Sequence, residues 1–239
     1  AFFRMLSQGD SSAGEVKILK KLKKAYNISG SIRNMQLQQG RITEATKKEP
    51  KKPQAYLTLL QKEIDKLKPE LLDLISENPV AESKKKTDAA LPGTFQLQDF
   101  DLFIQNKQAN SNSIIASGHF SDDNIHAVRK NLKDIFYNLK QYKGVQLTSL
   151  SQNKRNGNNE KYFEQLLNEL GAFQDMCTAI ALLKTYWIDK LNTYNRELLA
   201  RIKKLWIKEK VNMKQSLIKK LKTDIALYTD RTARLTAAK

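Results

Sequence analysis

His119, Asp122, Asp123 and His126 form the only cluster in this 239-residue chain with the residue types of a metal site. On a helix, Asp122 and His126 would share a face at a spacing of four. The two acids have a simpler use, however. A serine, Ser121, followed by two carboxylates is a helix start, with a capping hydroxyl and negative charge at the positive end of the helix dipole. That use accounts for them, so no metal is expected. Cys177 is the sole cysteine, which excludes an internal disulfide. It falls on an apolar helical seam, where a buried inert thiol is the expected state. Asp99 and Asp101 are paired carboxylates without supporting context. There is no Walker loop, nucleophile elbow, Gly-rich dinucleotide turn or zincin helix. No catalytic residue or cofactor is therefore assigned, and an enzyme of unrecognised helical architecture is the third reading.

The other chemistry the sequence offers is positive charge. The formal net charge is +17, a surplus that favours an anionic partner: nucleic acid, an acidic membrane face or an acidic protein surface. Arg201, Lys203, Lys204, Lys208, Lys210, Lys214, Lys219, Lys220 and Lys222 crowd one stretch in which Glu209 is the only acid. Trp206 sits among them, where it could serve a membrane interface or stack on a base. The competing account makes these lysines the solvated side of a bundle helix, their stems covering apolar neighbours. Lys20, Lys21, Lys23 and Lys24 form a second basic patch, and Lys84, Lys85 and Lys86 a third. Scattered patches suit a broad electrostatic surface. Without an RNA-recognition signature, zinc-finger spacing or a basic region ahead of a zipper, they argue against sequence-specific nucleic-acid binding.

The elements that must position these groups are helices. Nine glycines and five prolines are few for this length, whereas an all-β sandwich or barrel needs many turn residues. Helix formers are abundant. The opening residues through Leu6 are too short an apolar run for a signal-peptide core, and no run reaches the roughly 18 residues that span a bilayer. Asp10, Ser11 and Ser12 offer a cap for a helix over 13–26 that Gly30 would end, with a second, weaker helix over 31–47. Pro50 and Pro53 break the chain. Tyr56, Leu57, Leu60, Ile64 and Leu67 then make a helical stripe that Pro69 kinks or restarts. Residues 80–93 read as a flexible linker between an N-terminal helical region (1–79) and a bundle (94–239). Thr94 to Ile104 suits a short helix or buried irregular structure better than an unpartnered strand. Ser121 starts a helix that Gly144 closes, and 151–159 is a polar loop.

From Phe163 the pattern becomes strict. Phe163, Leu166, Leu170, Phe173, Cys177, Ile180, Trp187, Leu191, Tyr194, Leu198 and Leu205 keep alternating spacings of three and four, interrupted only by Lys184 and Arg201. This is a heptad seam over about six repeats. Past Leu205 the phase slips, which either rewinds one helix locally or marks a bend between two. If continuous, 160–235 would span on the order of 110 Å at 1.5 Å per residue. Large rings on the seam fit an intramolecular bundle better than a two-stranded coil, with homodimerisation as the alternative. The fold expected is all-α: an elongated bundle with coiled-coil-like packing and a long C-terminal helix or helical pair. The function expected is a non-catalytic binding or scaffold module that docks a partner protein and favours anionic surfaces, with an anionic membrane as the second reading.

Overall fold

The computed structural model describes residues 2–6, 19–91, 96–141 and 159–236. Among them there is no strand, and the chain is all-α. The helices are α1 (Phe2–Leu6), α2 (Lys20–Ala45), α3 (Gln54–Ser76), α4 (Pro79–Ala90), α5 (Leu97–Ala116), α6 (Asp122–Gln141), α7 (Asn159–Leu182), α8 (Thr185–Ile188) and α9 (Thr193–Thr236). The start signal at Asp10, Ser11 and Ser12, the stop at Gly144 and the polar loop 151–158 lie outside the described residues.

Two compact units are drawn from the described parts of discontinuous segments. Unit 1 comprises Ala1–Gly14, Pro92–Asp175 and Val211–Lys239; unit 2 comprises Glu15–Leu91 and Met176–Lys210. The helices α7 and α9 each supply residues to both units.

In unit 2, α2 and α3 pack side by side. Lys21 pairs with Glu77, Lys24 with Glu70, and Gln38 with Tyr56, so partner numbers fall along α3 as they rise along α2 and the helices run antiparallel. Ile28, Ile32, Met35 and Ile42 of α2 meet Tyr56, Leu60 and Ile64 of α3 as buried stripes. One helix replaces the two expected here, because Gly30 does not stop it. A β-carbon at Gly30 or at Gly40 would meet nothing within 4 Å. Both glycines therefore cost backbone entropy without serving a close approach. Gly30→Ala and Gly40→Ala should each raise stability by about 0.5–1 kcal/mol, seen as a higher urea midpoint at unchanged slope. A lowered midpoint would show that the helix needs the glycine. Pro69 likewise lies inside α3, which continues to Ser76.

The segment read as a flexible linker is helical. Asn78 takes a left-handed conformation (φ 50°), its side chain accepts from the Ala81 amide at 3.3 Å, and Pro79 occupies the first turn. Pairs four residues apart, Glu82 with Lys86 and Lys84 with Asp88, support the rest. A lysine run that reads as a break is thus one side of a charge-laced helix.

In unit 1, α5 and α6 are joined by a short turn in which Gly118 supplies a positive φ of 69°. The Ser121 hydroxyl accepts from the Asn124 amide at 3.0 Å, so α6 starts where its sequence signal places it. The ambiguous stretch before Ile104 is helical from Leu97. Phe100, Phe103, Ile104, Ile135, Phe136 and Leu139 form the core with Phe163 and Leu167 of α7 and with Met5 and Leu6 of α1. Met5 and Leu6 thereby anchor α1 to this core.

The expected C-terminal seam is corrected in two places. Phe163, Leu166, Leu170 and Phe173 are buried as expected, but the helix ends at Leu182. The chain restarts after Asn192, whose side-chain oxygen accepts from the Asn195 amide at 2.9 Å. The break lies at this cap, not at the phase slip. Beyond it α9 is continuous. Its buried positions include Asn195, Leu198, Leu199, Ile202, Trp206, Leu217 and Leu221, among which Asn195, Trp206 and Leu217 recur at intervals of eleven. An eleven-residue interval corresponds to about 3.67 residues per turn, close to a straight helix. Read in heptads, the same pattern looks like a slip. Leu205, assigned to the seam, is 66% exposed.

Candidate functional site

The basic residues singled out by the sequence fall into three states. The first are engaged by acids of their own unit. Lys21 and Lys24 pair with Glu77 and Glu70, and Arg201 with Glu49 at 3.3 Å. Lys214 meets Asp122 at 2.9 Å, and Lys220 lies 2.6 Å from Glu169. Lys84 and Lys86 are paired within α4. The second are half-buried: Lys203 and Lys210. The third are exposed without an acid among the described residues: Lys20, Lys23, Lys85, Lys204, Lys208, Lys219 and Lys222. Lys222 holds its ammonium 5.7 Å from the Phe120 ring centroid.

Trp206 belongs to none of these. It is 8% exposed and packed within unit 2, so its indole is not offered to a membrane or a base. The 201–222 stretch also passes from unit 2 to unit 1 after Lys210. What remains in unit 2 is a short exposed face of α9: Arg201, Lys204, Leu205 and Lys208 share one side of the helix by their spacing of three and four. Leu205 stands there with its side chain in solvent, next to two lysines that form no ion pair among the described residues. Ile207, at 43% exposure, borders this face.

The sequence reading missed a second exposed apolar group in unit 2. Leu72, Ile75 and Val80 flank the Asn78 turn at 65%, 55% and 64% exposure. A signal for it was present: Leu71, Leu72, Leu74 and Ile75 fill a wider arc than one helix neighbour can cover.

The metal-like cluster disperses. Asp122 is taken by Lys214, and the His119 ring and carbonyl both contact the Asn124 amide. Among the described residues no group of His, Cys, Asp and Glu could hold a metal ion, and no helix is long and apolar enough to cross a membrane. Cys177 is half-buried. A shallow depression of about 440 Å³ between α2 and α3 is lined by polar side chains including Gln39, Thr58, Gln61 and Asp65. The Asp65 carboxyl is held below its ordinary value by hydrogen bonds from Lys68 and Gln61. That is the reverse of what a general acid needs.

Comparison of the chain with protein-family models, curated proteins and solved structures gives no match.

Proposed function

We propose that the chain is a non-catalytic helical binding module that docks an acidic, partly apolar surface of another protein through the exposed face of α9 in unit 2. The observation that carries this reading is Leu205, two-thirds in solvent and bracketed by Lys204 and Lys208, which lack acids among the described residues. An exposed leucine on a face otherwise built of cations suits an amphipathic acidic partner: the leucine gives contact area and the lysines give steering. An anionic membrane is the weaker reading, because the aromatic anchor it would use, Trp206, is buried.

The test compares proteins captured from lysate by the unaltered chain, by Lys204→Glu with Lys208→Glu, and by Leu205→Asp. The charge-reversed and Leu205→Asp chains should each hold the captured partner at least about tenfold more weakly, and high salt should weaken the unaltered chain. Phosphatidylserine vesicles should not float any of them. An unchanged captured set in both variants would sink the proposal. Vesicle flotation that the charge reversal abolishes would hand this face to lipid.

A further inference from the structure

One flank of α6 carries Asp122, His126, Arg129, Lys133 and Lys140 in register, at intervals of three, four and seven. Both ends of this flank are closed by ion pairs to neighbouring helices of unit 1. Asp122 meets Lys214 of α9, and Lys140 meets Glu164 of α7 at 3.4 Å. The middle is not closed. Arg129 lies against Gly171 of α7, where a β-carbon would come within 3.7 Å of its Nη2. Its Nε is buried without an acceptor, and it forms no ion pair among the described residues. One turn back, Nδ1 of His126 is also buried without a partner. One turn on, the Lys133 ammonium lies 5.5 Å from the Tyr137 ring centroid, and burial and the charge of Arg129, only partly offset by Asp134, hold it below its ordinary value.

The acids nearby are committed or disengaged. Glu169 is held by Lys220, and Asp134 is held by Arg4 and Lys107. Asp175, one turn past Gly171, forms no ion pair among the described residues. Two half-buried cations that repel one another, beside an unsatisfied imidazole, are an unfavourable arrangement unless an anion joins them. A guanidinium fork and an ammonium on successive turns offer donors in several directions. That suits the oxygens of a tetrahedral phosphate better than a planar carboxylate, which the fork alone would satisfy. We propose that this flank of α6 is a phosphate-binding site in which Arg129 and Lys133 hold the oxygens and His126 completes the ring of donors.

The test uses the full chain, titrated calorimetrically with inorganic phosphate and with O-phosphoserine against chloride at matched ionic strength. Saturable binding is expected, and Arg129→Gln and Lys133→Gln should each weaken it at least about tenfold, the scale of a lost charge-assisted hydrogen bond. Lys204→Gln should not change it. Tighter binding of O-phosphoserine would point to a phosphorylated segment, and equal binding to free phosphate; either supports the site. Thermal unfolding supplies a readout that a purely structural role would not give. In chloride Arg129→Gln should melt no lower than the unaltered chain, because the repulsion on Lys133 is gone, and phosphate should reverse the order. No saturable binding by the unaltered chain, or equal binding by both variants, would overturn the proposal.

Discussion

Tyr56→Ala should cost unit 2 about 3–5 kcal/mol, the largest loss expected from a single substitution in the molecule. The side chain is fully buried, and its ring fills the space between α2 and α3. Its hydroxyl donates to the Leu182 carbonyl at 3.0 Å and accepts from Gln38 at 3.2 Å. Gln38 in turn donates to the Ala179 carbonyl at 3.2 Å. Three helices thus share one polar knot inside an apolar core, and removing the ring opens a cavity and strips the knot of its centre. Tyr56→Phe separates the two losses: it keeps the packing and should cost only about 1–2 kcal/mol for the unmade hydrogen bonds. Both tryptophans, Trp187 and Trp206, belong to unit 2, so urea unfolding followed by tryptophan fluorescence reports this unit selectively. An alanine variant as stable as the phenylalanine variant by that probe would contradict the cavity argument.

The same tyrosine predicts behaviour in alkali. Burial, only partly offset by the Gln38 hydrogen bond, pushes its pKa up to about 12 from an ordinary 10.0. A folded value above the unfolded one stabilises the neutral form. That contribution is fully present below pH 10 and is lost as pH rises toward 12. One phenolate should accordingly appear late in an absorbance titration, together with loss of the fluorescence signal.

How far the sequence carried depended on whether the deciding contact was local. The Tyr56, Leu60 and Ile64 stripe and the Ser121 cap were legible because periodicity and capping act within one or two turns. The start of α9 was legible in principle: Asn192 is a capping residue, but Trp187, Leu191 and Tyr194 at heptad spacing carried the seam across it. The knot at Tyr56 was not legible. Its partners, Ala179 and Leu182, are backbone carbonyls far away in sequence, and a carbonyl carries no residue identity. The basic stretch misled for the same reason. Its composition names the cations but not which acids reach them: Asp122 and Glu169 come from other helices, and Glu49 from the turn after α2. Trp206 shows the limit of reading by neighbours: surrounded in sequence by lysines, it is placed by helical phase in the core.

Removal of the Asp134 charge is the corresponding test of unit 1. Asp134→Asn keeps the volume and should cost about 2–4 kcal/mol, less than for a fully enclosed pair because the Arg4 side chain is 55% exposed. The carboxylate itself is buried. It accepts from Arg4 Nε at 2.9 Å and from a second Arg4 nitrogen, while Lys107 approaches to 3.4 Å. Through Arg4 it ties α1, whose Met5 and Leu6 enter the core, to α6. A helix of five residues has almost no stability of its own. Losing the tie should therefore free α1 before the rest of the unit, as faster amide exchange at Met5 and Leu6. Burial raises the Asp134 pKa, but Arg4, helped by Lys107, outweighs it and holds the carboxyl below its ordinary 3.8. The sign follows: a depressed folded value gives stability that is present above the unfolded value and is lost as pH falls through the folded one. The unaltered chain should then lose more stability between neutral pH and strong acid than Asp134→Asn, with the two converging at the acid end. Tryptophan fluorescence should barely register the difference at neutral pH, since both indoles report unit 2, whereas far-UV circular dichroism should. Equal stability at neutral pH with the same acid slope would show that Arg4 and Asp134 merely coincide in space.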